Sequence, residues 1–207
     1  MRGRFISLEG GEGVGKSTQL KALAEGLRRR GLEVVETREP GGSPGAEAIR
    51  KLLLEGGDDR WTPEAEALLF AAARADHVAK TIRPALERGA WVLSDRFLDS
   101  SLAYQGGAAG VGLETVRKLH EIGSLGFLPD RTLLLELPPE AVSERLRARD
   151  VDGPDRIGGR GGGFHDRVAQ AFARLAEEEP ERFRRVDAGG SAEAVTARVL
   201  AAVEDLL

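Results

Sequence analysis

Cysteine is absent from the 207-residue chain. That excludes disulfides and thiolate metal sites. Asparagine is missing as well, and with it the Asn-Lys-x-Asp element by which a GTPase reads guanine. Methionine occurs once and glutamine three times. Such scarcity of heat-labile residues is shared with thermophilic proteins. The excess of arginine over lysine, 25 to 5, fits a GC-rich genome equally well. Long apolar runs are lacking too: none approaches the ~20 residues that span a bilayer. The opening "FISLEGG" is too short and too quickly charged for a signal peptide. A net charge of −4 offers no basic sheath for DNA or RNA. The expectation is a cytoplasmic enzyme, with neither membrane nor nucleic acid as partner.

What is present alternates. "RFISLE" (4–9), "LEVVETR" (32–38), "AWVLSD" (90–95), "RTLLLEL" (131–137) and "RFRRVDA" (182–188) read as strands. The first, third and fourth are almost continuously apolar, as strands buried on both faces of a parallel sheet are. Helical spacing lies between them. Leu20, Leu23, Ala24 and Leu27 share a face that Gly31 terminates. Residues 63–88 read as one helix with Pro63 near its start, kinked or split by Pro84. Ser191 caps a last helix carrying Val195, Val199, Ala202 and Leu206. The pattern predicts a single domain over 1–207: an α/β, doubly wound, five-stranded parallel sheet with ligands at the carboxyl ends of its strands.

"EGGEGVGKST" (9–18) follows the first strand and opens the first helix. Gly10-x-x-x-x-Gly15-Lys16-Ser17 meets the phosphate-loop pattern at every fixed position. Glycines let successive N–H groups turn inward around an anion, backed by the helix N-terminus. Lys16 supplies a point charge for the terminal phosphates and Ser17 a hydroxyl for Mg²⁺. No G-x-G-x-x-G dinucleotide fingerprint fits in any register. The loop therefore predicts nucleoside triphosphate binding.

"VLSDRF" ends the third strand on Asp95 and Arg96 at the same edge. A carboxylate there can hold the water shell of Mg²⁺, and an arginine can bridge two phosphates. Arg38, in "TREPGG" (37–42), ends the second strand beside them. A phosphate acceptor is mostly dianionic at pH 7, so phosphoryl transfer needs no general base. His77, His120 and His165 are accordingly read as surface residues. "DVDGPDRIGGRGGGFHD" (150–166), with its six glycines, admits two readings: a solvated loop, or a closing lid over about 145–165.

In combination these motifs resemble the thymidylate kinase family. The likeness covers nearly the whole chain, through "EGGEGVGKST", "TREPGG", "FAAARADHV", "WVLSDRF", "SSLAYQG" and the "PD" at 129–130. It implies transfer of the ATP γ-phosphoryl group to dTMP, with Mg²⁺, in a homodimer. It assigns Gly10, Gly11, Glu12, Gly13, Val14, Gly15, Lys16, Ser17 and Thr18 to ATP, and Glu12 also to the sugar 3′-hydroxyl. Arg38 and Arg96 would hold the dTMP phosphate. Phe70 would stack on thymine, with Arg74 on the base edge; the same spacing also suits Phe70 as plain core. Tyr104 would sit where a ribose 2′-hydroxyl would clash, with Ser101 and Gln105 completing the pocket. Lys16, Asp95, Arg96 and a lid arginine would be catalytic, with Mg²⁺ at Ser17 and at Asp95, the latter directly or through water.

Two departures stand out. Phe97 replaces the family's tyrosine after Asp95-Arg96. The loop positions Gly11, Glu12, Gly13 and Val14 carry no basic residue. Positive charge would then come from the lid, as in the bacterial pattern, through Arg147, Arg149, Arg156 or Arg160, with Arg156 the first choice. Two other readings remain: another nucleoside monophosphate kinase, or an ATP-hydrolysing switch without an acceptor.

Overall fold

The computed structural model describes residues 2–57, 59–138, 140–142, 145 and 156–207. Arg147 and Arg149 lie outside the described residues. Five strands, β1 (Phe5–Glu9), β2 (Val34–Arg38), β3 (Trp91–Asp95), β4 (Arg131–Glu136) and β5 (Phe183–Asp187), form one sheet in the order β2-β3-β1-β4-β5. Every pairing is parallel, and Leu8 of β1 stands opposite Asp95 of β3. The carboxyl ends of the two central strands thus meet where the phosphate loop begins.

The apolar strand runs resolve into two faces because successive side chains point to opposite sides. Ile6, Leu8, Leu93, Leu133 and Leu135 pack with Leu20, Leu23, Ala24 and Leu27 of α1 (Lys16–Arg29). Phe5, Val92 and Leu134 face the opposite cluster, with Phe70, Phe97, Tyr104 and Phe172. That second layer holds α2 (Pro44–Leu54), α3 (Pro63–His77), α4 (Arg83–Glu87), α5 (Leu98–Ser101), α6 (Leu113–Ser124) and α7 (Gly162–Glu178). α8 (Ala192–Ala201) lies beside α1, its Ser191 Oγ accepting from Ala194 N as expected of a cap.

The run 63–88 is continuous but not uniform. A π-helical turn, Val78–Ile82, joins α3 to α4 immediately before Pro84. Proline lacks the N–H that would close the preceding turn, and the wider turn absorbs the defect. A second π-helical stretch, Leu102–Ala108, follows α5 and carries Tyr104 and Gln105.

The sheet's second face is not purely apolar. Asp99, fully buried, accepts from Arg182 Nη1 and Nη2 at 2.6 and 2.8 Å and from Thr132 Oγ1 at 2.9 Å. Removing one partner strands a buried charge. Asp99→Ala is expected to cost about 3–5 kcal/mol, measurable as a lowered denaturant midpoint at unchanged slope.

Candidate active site

The loop 10–15 needs backbone conformations that side chains resist: Gly10, Gly13 and Gly15 have φ of 129°, 72° and 97°. Gly15 caps α1. Lys16 is buried and donates to Gly10 O at 3.2 Å and Gly11 O at 2.6 Å. Burial, with Arg96 adding like charge, depresses its ammonium to about 7. Ser17 Oγ donates to Asp95 Oδ2 at 2.6 Å, so the hydroxyl and carboxylate expected at a metal are adjacent. A cleft of about 460 Å³ opens beside Gly13, Lys16, Ser17 and Thr18. Arg145, which sequence reasoning did not single out, also lines it and donates to Val14 O and Ala188 O.

Arg96 has a positive φ of 73°, a conformation costing a non-glycine residue about 1–3 kcal/mol. Its backbone is held on both sides: Arg96 N donates to Leu8 O, and Ser94 Oγ to Arg96 O. The guanidinium then reaches Gly10 O, Ser100 Oγ and Tyr104 Oη at 3.1, 2.9 and 3.2 Å. Beneath it, Glu9 accepts from Phe97 N and Ser100 Oγ. Burial, reinforced by Asp99, pushes the Glu9 carboxyl up to about 8.

A second concavity, of about 100 Å³, is lined by Arg96 and reaches the loop at Glu12. Glu12, Phe70, Arg74, Ser101, Tyr104 and Gln105 all line it, so the fold brings together residues from the loop, α3, α5 and the second π-helical stretch. Ile157, packed into the same cluster as Phe70 and Tyr104, closes one side. Phe70 belongs to the core and the cavity at once. Its two sequence readings are compatible because the cavity floor is the core.

Arg74 is held by three partners: Glu39 Oε2 at 2.8 Å, Ser101 Oγ at 2.7 Å and Phe97 O at 3.3 Å. Glu39 in turn pairs with His77 Nδ1 at 2.9 Å, and His77 Nε2 contacts Thr37 Oγ1 at 2.7 Å. Burial alone would raise Glu39, but Arg74 and His77 outweigh it and hold the carboxyl below its usual range. His77 is therefore not a surface residue, nor is His120, which is also buried and lowered by burial to about 4. Their helical faces looked solvated because sequence spacing does not reveal which neighbours cover them. The signal for His77 was its place on the stripe Phe70, Arg74, His77.

Arg38 departs from expectation. It ends β2 at the correct edge, but its guanidinium is exposed and bonds Glu47, and it does not line the cavity. Arg50 of α2 lines it instead and donates to Pro40 O. Arg156 is buried and commits Nε to Leu53 O and Nη2 to Glu66 Oε2, at 2.8 and 2.5 Å. Arg160 Nη2 reaches the same Glu66 oxygen at 2.6 Å. The segment 156–160 is thus seated on α2 and α3 through its arginines, which are committed there rather than to the phosphate cleft. Gly158 lies against the Glu12 carboxylate so closely that a Cβ would collide with it. That contact makes a solvated loop the poorer of the two readings for 156–160.

The model of one family, "Thymidylate kinase", matches residues 8–199. The thymidylate kinase of Rhizorhabdus wittichii is 65% identical over 207 residues, all of both chains. Those of Caulobacter vibrioides and Bifidobacterium longum are 48% and 49% identical, covering 96% and 100% of this chain and 94% and 100% of theirs. A match over this length, with both concavities in place, means that the chain belongs to the thymidylate kinase family.

Proposed function

We propose that this protein transfers the γ-phosphoryl group of ATP to dTMP, giving ADP and dTDP for dTTP synthesis, as one P-loop kinase domain. The observation that carries this reading is the pair of concavities on the two sides of one loop: Glu12 lines the one that holds Arg96, and Gly13, Lys16 and Ser17 line the other. The phosphate loop lines one, and a cavity with an aromatic wall, an arginine and an amide forms the other.

The donor phosphates lie in the loop, where its N–H groups and Lys16 offset their charge. Ser17 and Asp95, adjacent at 2.6 Å, would hold Mg²⁺. That ion supplies charge neutralisation on the transferring group. In the second cavity Phe70 stacks on the base, Arg74 donates to its edge, and Ser101 and Gln105 complete the pocket. Arg96 holds the acceptor phosphate, and Glu12 receives the 3′-hydroxyl. Arg50, in the cavity, takes the place that the sequence suggested for Arg38. The acceptor oxygen is already anionic, so its alignment and charge stabilisation do the chemistry.

Family membership supports a homodimer, and exposed Leu68 on α3 with Ile122 on α6 offer apolar surface for it. Among the described residues no helix is long and apolar enough to cross a membrane, and a cytoplasmic location is proposed.

ADP formation with ATP and Mg²⁺, assayed with dTMP, dUMP, UMP, CMP or AMP one at a time, tests the reading. Strong dependence on dTMP is expected. ADP production indifferent to every acceptor means a switch protein, and preference for another monophosphate keeps the kinase but discards the thymine pocket. Tyr104, buried under Arg96 with its ring 5.0 Å from that guanidinium, is the proposed gate against ribonucleotides. Tyr104→Ala is expected to lower the dUMP:UMP ratio of kcat/KM about tenfold or more; an unchanged ratio refutes the gate.

A further inference from the structure

Glu66 of α3 is buried and does not line the acceptor cavity, yet Gln105, which does, and the two arginines that flank the cavity-lining Ile157 segment converge on it. Its Oε1 accepts from Gln105 Nε2 at 2.9 Å. Its Oε2 accepts from Arg156 and Arg160 at 2.5 and 2.6 Å. Both oxygens are thereby engaged, and two guanidiniums hold the group as a carboxylate. Burial would raise its pKa, but the hydrogen bonds from Gln105, Arg156 and Arg160 and the Arg160 charge outweigh that and lower it.

A carboxylate accepts hydrogen bonds and cannot donate them, whereas an amide has one end of each kind. With Glu66 ionised, only the NH₂ end of Gln105 can face it. Gln105 lines the cavity and Glu66 does not, so the amide that reaches Glu66 with its nitrogen turns its oxygen toward the cavity. Arg74 contributes the opposite character, a donor whose Nε and Nη2 are fixed by Glu39, Ser101 and Phe97 O. Among the polar groups of the wall, Arg74 and Gln105 thus offer the base edge a fixed donor and a fixed acceptor. Thymine and uracil present O4 as an acceptor and N3–H as a donor. Cytosine presents N4–H₂ as a donor and a bare N3 as an acceptor, so it meets both wall groups with the wrong sign.

We propose that Glu66 determines the base selectivity of this cavity as a positioning residue, by fixing which end of the Gln105 amide faces the base. The inference rests on the acceptor-cavity reading above and goes beyond it in naming what orients the reader. Closure of 156–160 belongs to the same device. Arg156 and Arg160 reach Glu66 only when seated, so the amide is locked in the state in which Ile157 closes the cavity.

The test uses Glu66→Gln, which keeps the shape but adds a donor. Gln105 can then turn over and offer N–H to the N3 of cytosine. dUMP and dCMP differ only at that edge, so their ratio of kcat/KM isolates it. The unsubstituted protein is expected to prefer dUMP by about 10⁴ or more, as sites built to hydrogen-bond one partner do. In E66Q the ratio is expected to fall at least about tenfold, with dTMP still preferred to dUMP. In a Gln105→Leu background, adding E66Q should leave the dUMP:dCMP ratio unmoved. An unchanged ratio in E66Q, or an equal fall in the Gln105→Leu background, overturns the proposal. Should E66Q fail to fold, combining it with Arg156→Gln removes the stranded buried charge, and the same ratio decides. Loss of dTMP-dependent ADP formation in the unsubstituted protein would instead overturn the kinase reading itself.

Discussion

Lys16→Ala should abolish measurable turnover, a loss of at least about 10²–10³-fold in kcat. The reason lies in where the ammonium sits. It is buried, spans Gly10 O and Gly11 O, and has Asp95, Glu9 and Glu12 as its acidic neighbours. A charge in so dry a setting acts on phosphate oxygens with far less screening than in water. Removing it also frees the two carbonyls it organises, so a melting curve must accompany the assay. Near-normal turnover in a folded K16A protein would discard the phosphate-loop assignment. The same group sets a pH dependence. Lys16 is depressed to about 7, so above that pH much of it is neutral until an anion binds and raises its pKa. Triphosphate binding near pH 8 should therefore take up a proton, and affinity should weaken as pH rises through 7. Calorimetry in buffers of different ionisation enthalpy measures that uptake, which K16A should lack.

Arg156→Ala is expected to lower kcat about 10³-fold, the lower end for arginines that meet a transferring phosphoryl group, with the KM for dTMP little changed. The structure adds a condition. Nε and Nη2 of Arg156 are committed to Leu53 O and Glu66, so acting on the phosphates requires the side chain to leave that carboxylate. Among the described residues its Nη1 is buried without a partner, an orphaned donor costing about 1–3 kcal/mol, which weakens the hold of the docked position. If kcat and dTMP binding fall together, Arg156 serves by closing the cavity, and the charge must come from Arg160 or from outside the described residues. Arg160 has the freer side chain, 18% exposed against none for Arg156.

The elements that sequence reasoning placed well share one property: their signal is local. The five strands lie within the predicted runs because apolar residues cluster there. The phosphate loop is legible because glycine tolerates φ values such as the 97° at Gly15. The stripe Phe70, Arg74 and His77 follows from helical spacing, and so does Glu66, one turn earlier on the same face. What spacing does not carry is the partner. Arg38 ends its strand where expected, but Glu47, nine residues on, captures it. His120 sits on an amphipathic helix yet is enclosed beside Phe97 and Phe127. Nothing in the order of residues pairs Glu66 with Arg156, 90 positions away, or Asp99 with Arg182, 83 away.

The sequence by itself determined the alternation of strands and helices, the anion-binding loop, and the residue types at the strand ends. These depend on backbone preferences and short-range periodicity, which act within a few residues. Only the tertiary structure decided which charges are buried against which partners. Charge pairing in a low-dielectric interior depends on spatial proximity and on what excludes water, and sequence separation measures neither. Arg38 was therefore lost to the surface and Arg50 brought into the cavity. For the same reason the segment 156–160 rests on α2 and α3, with both of its arginines on the buried Glu66 carboxylate.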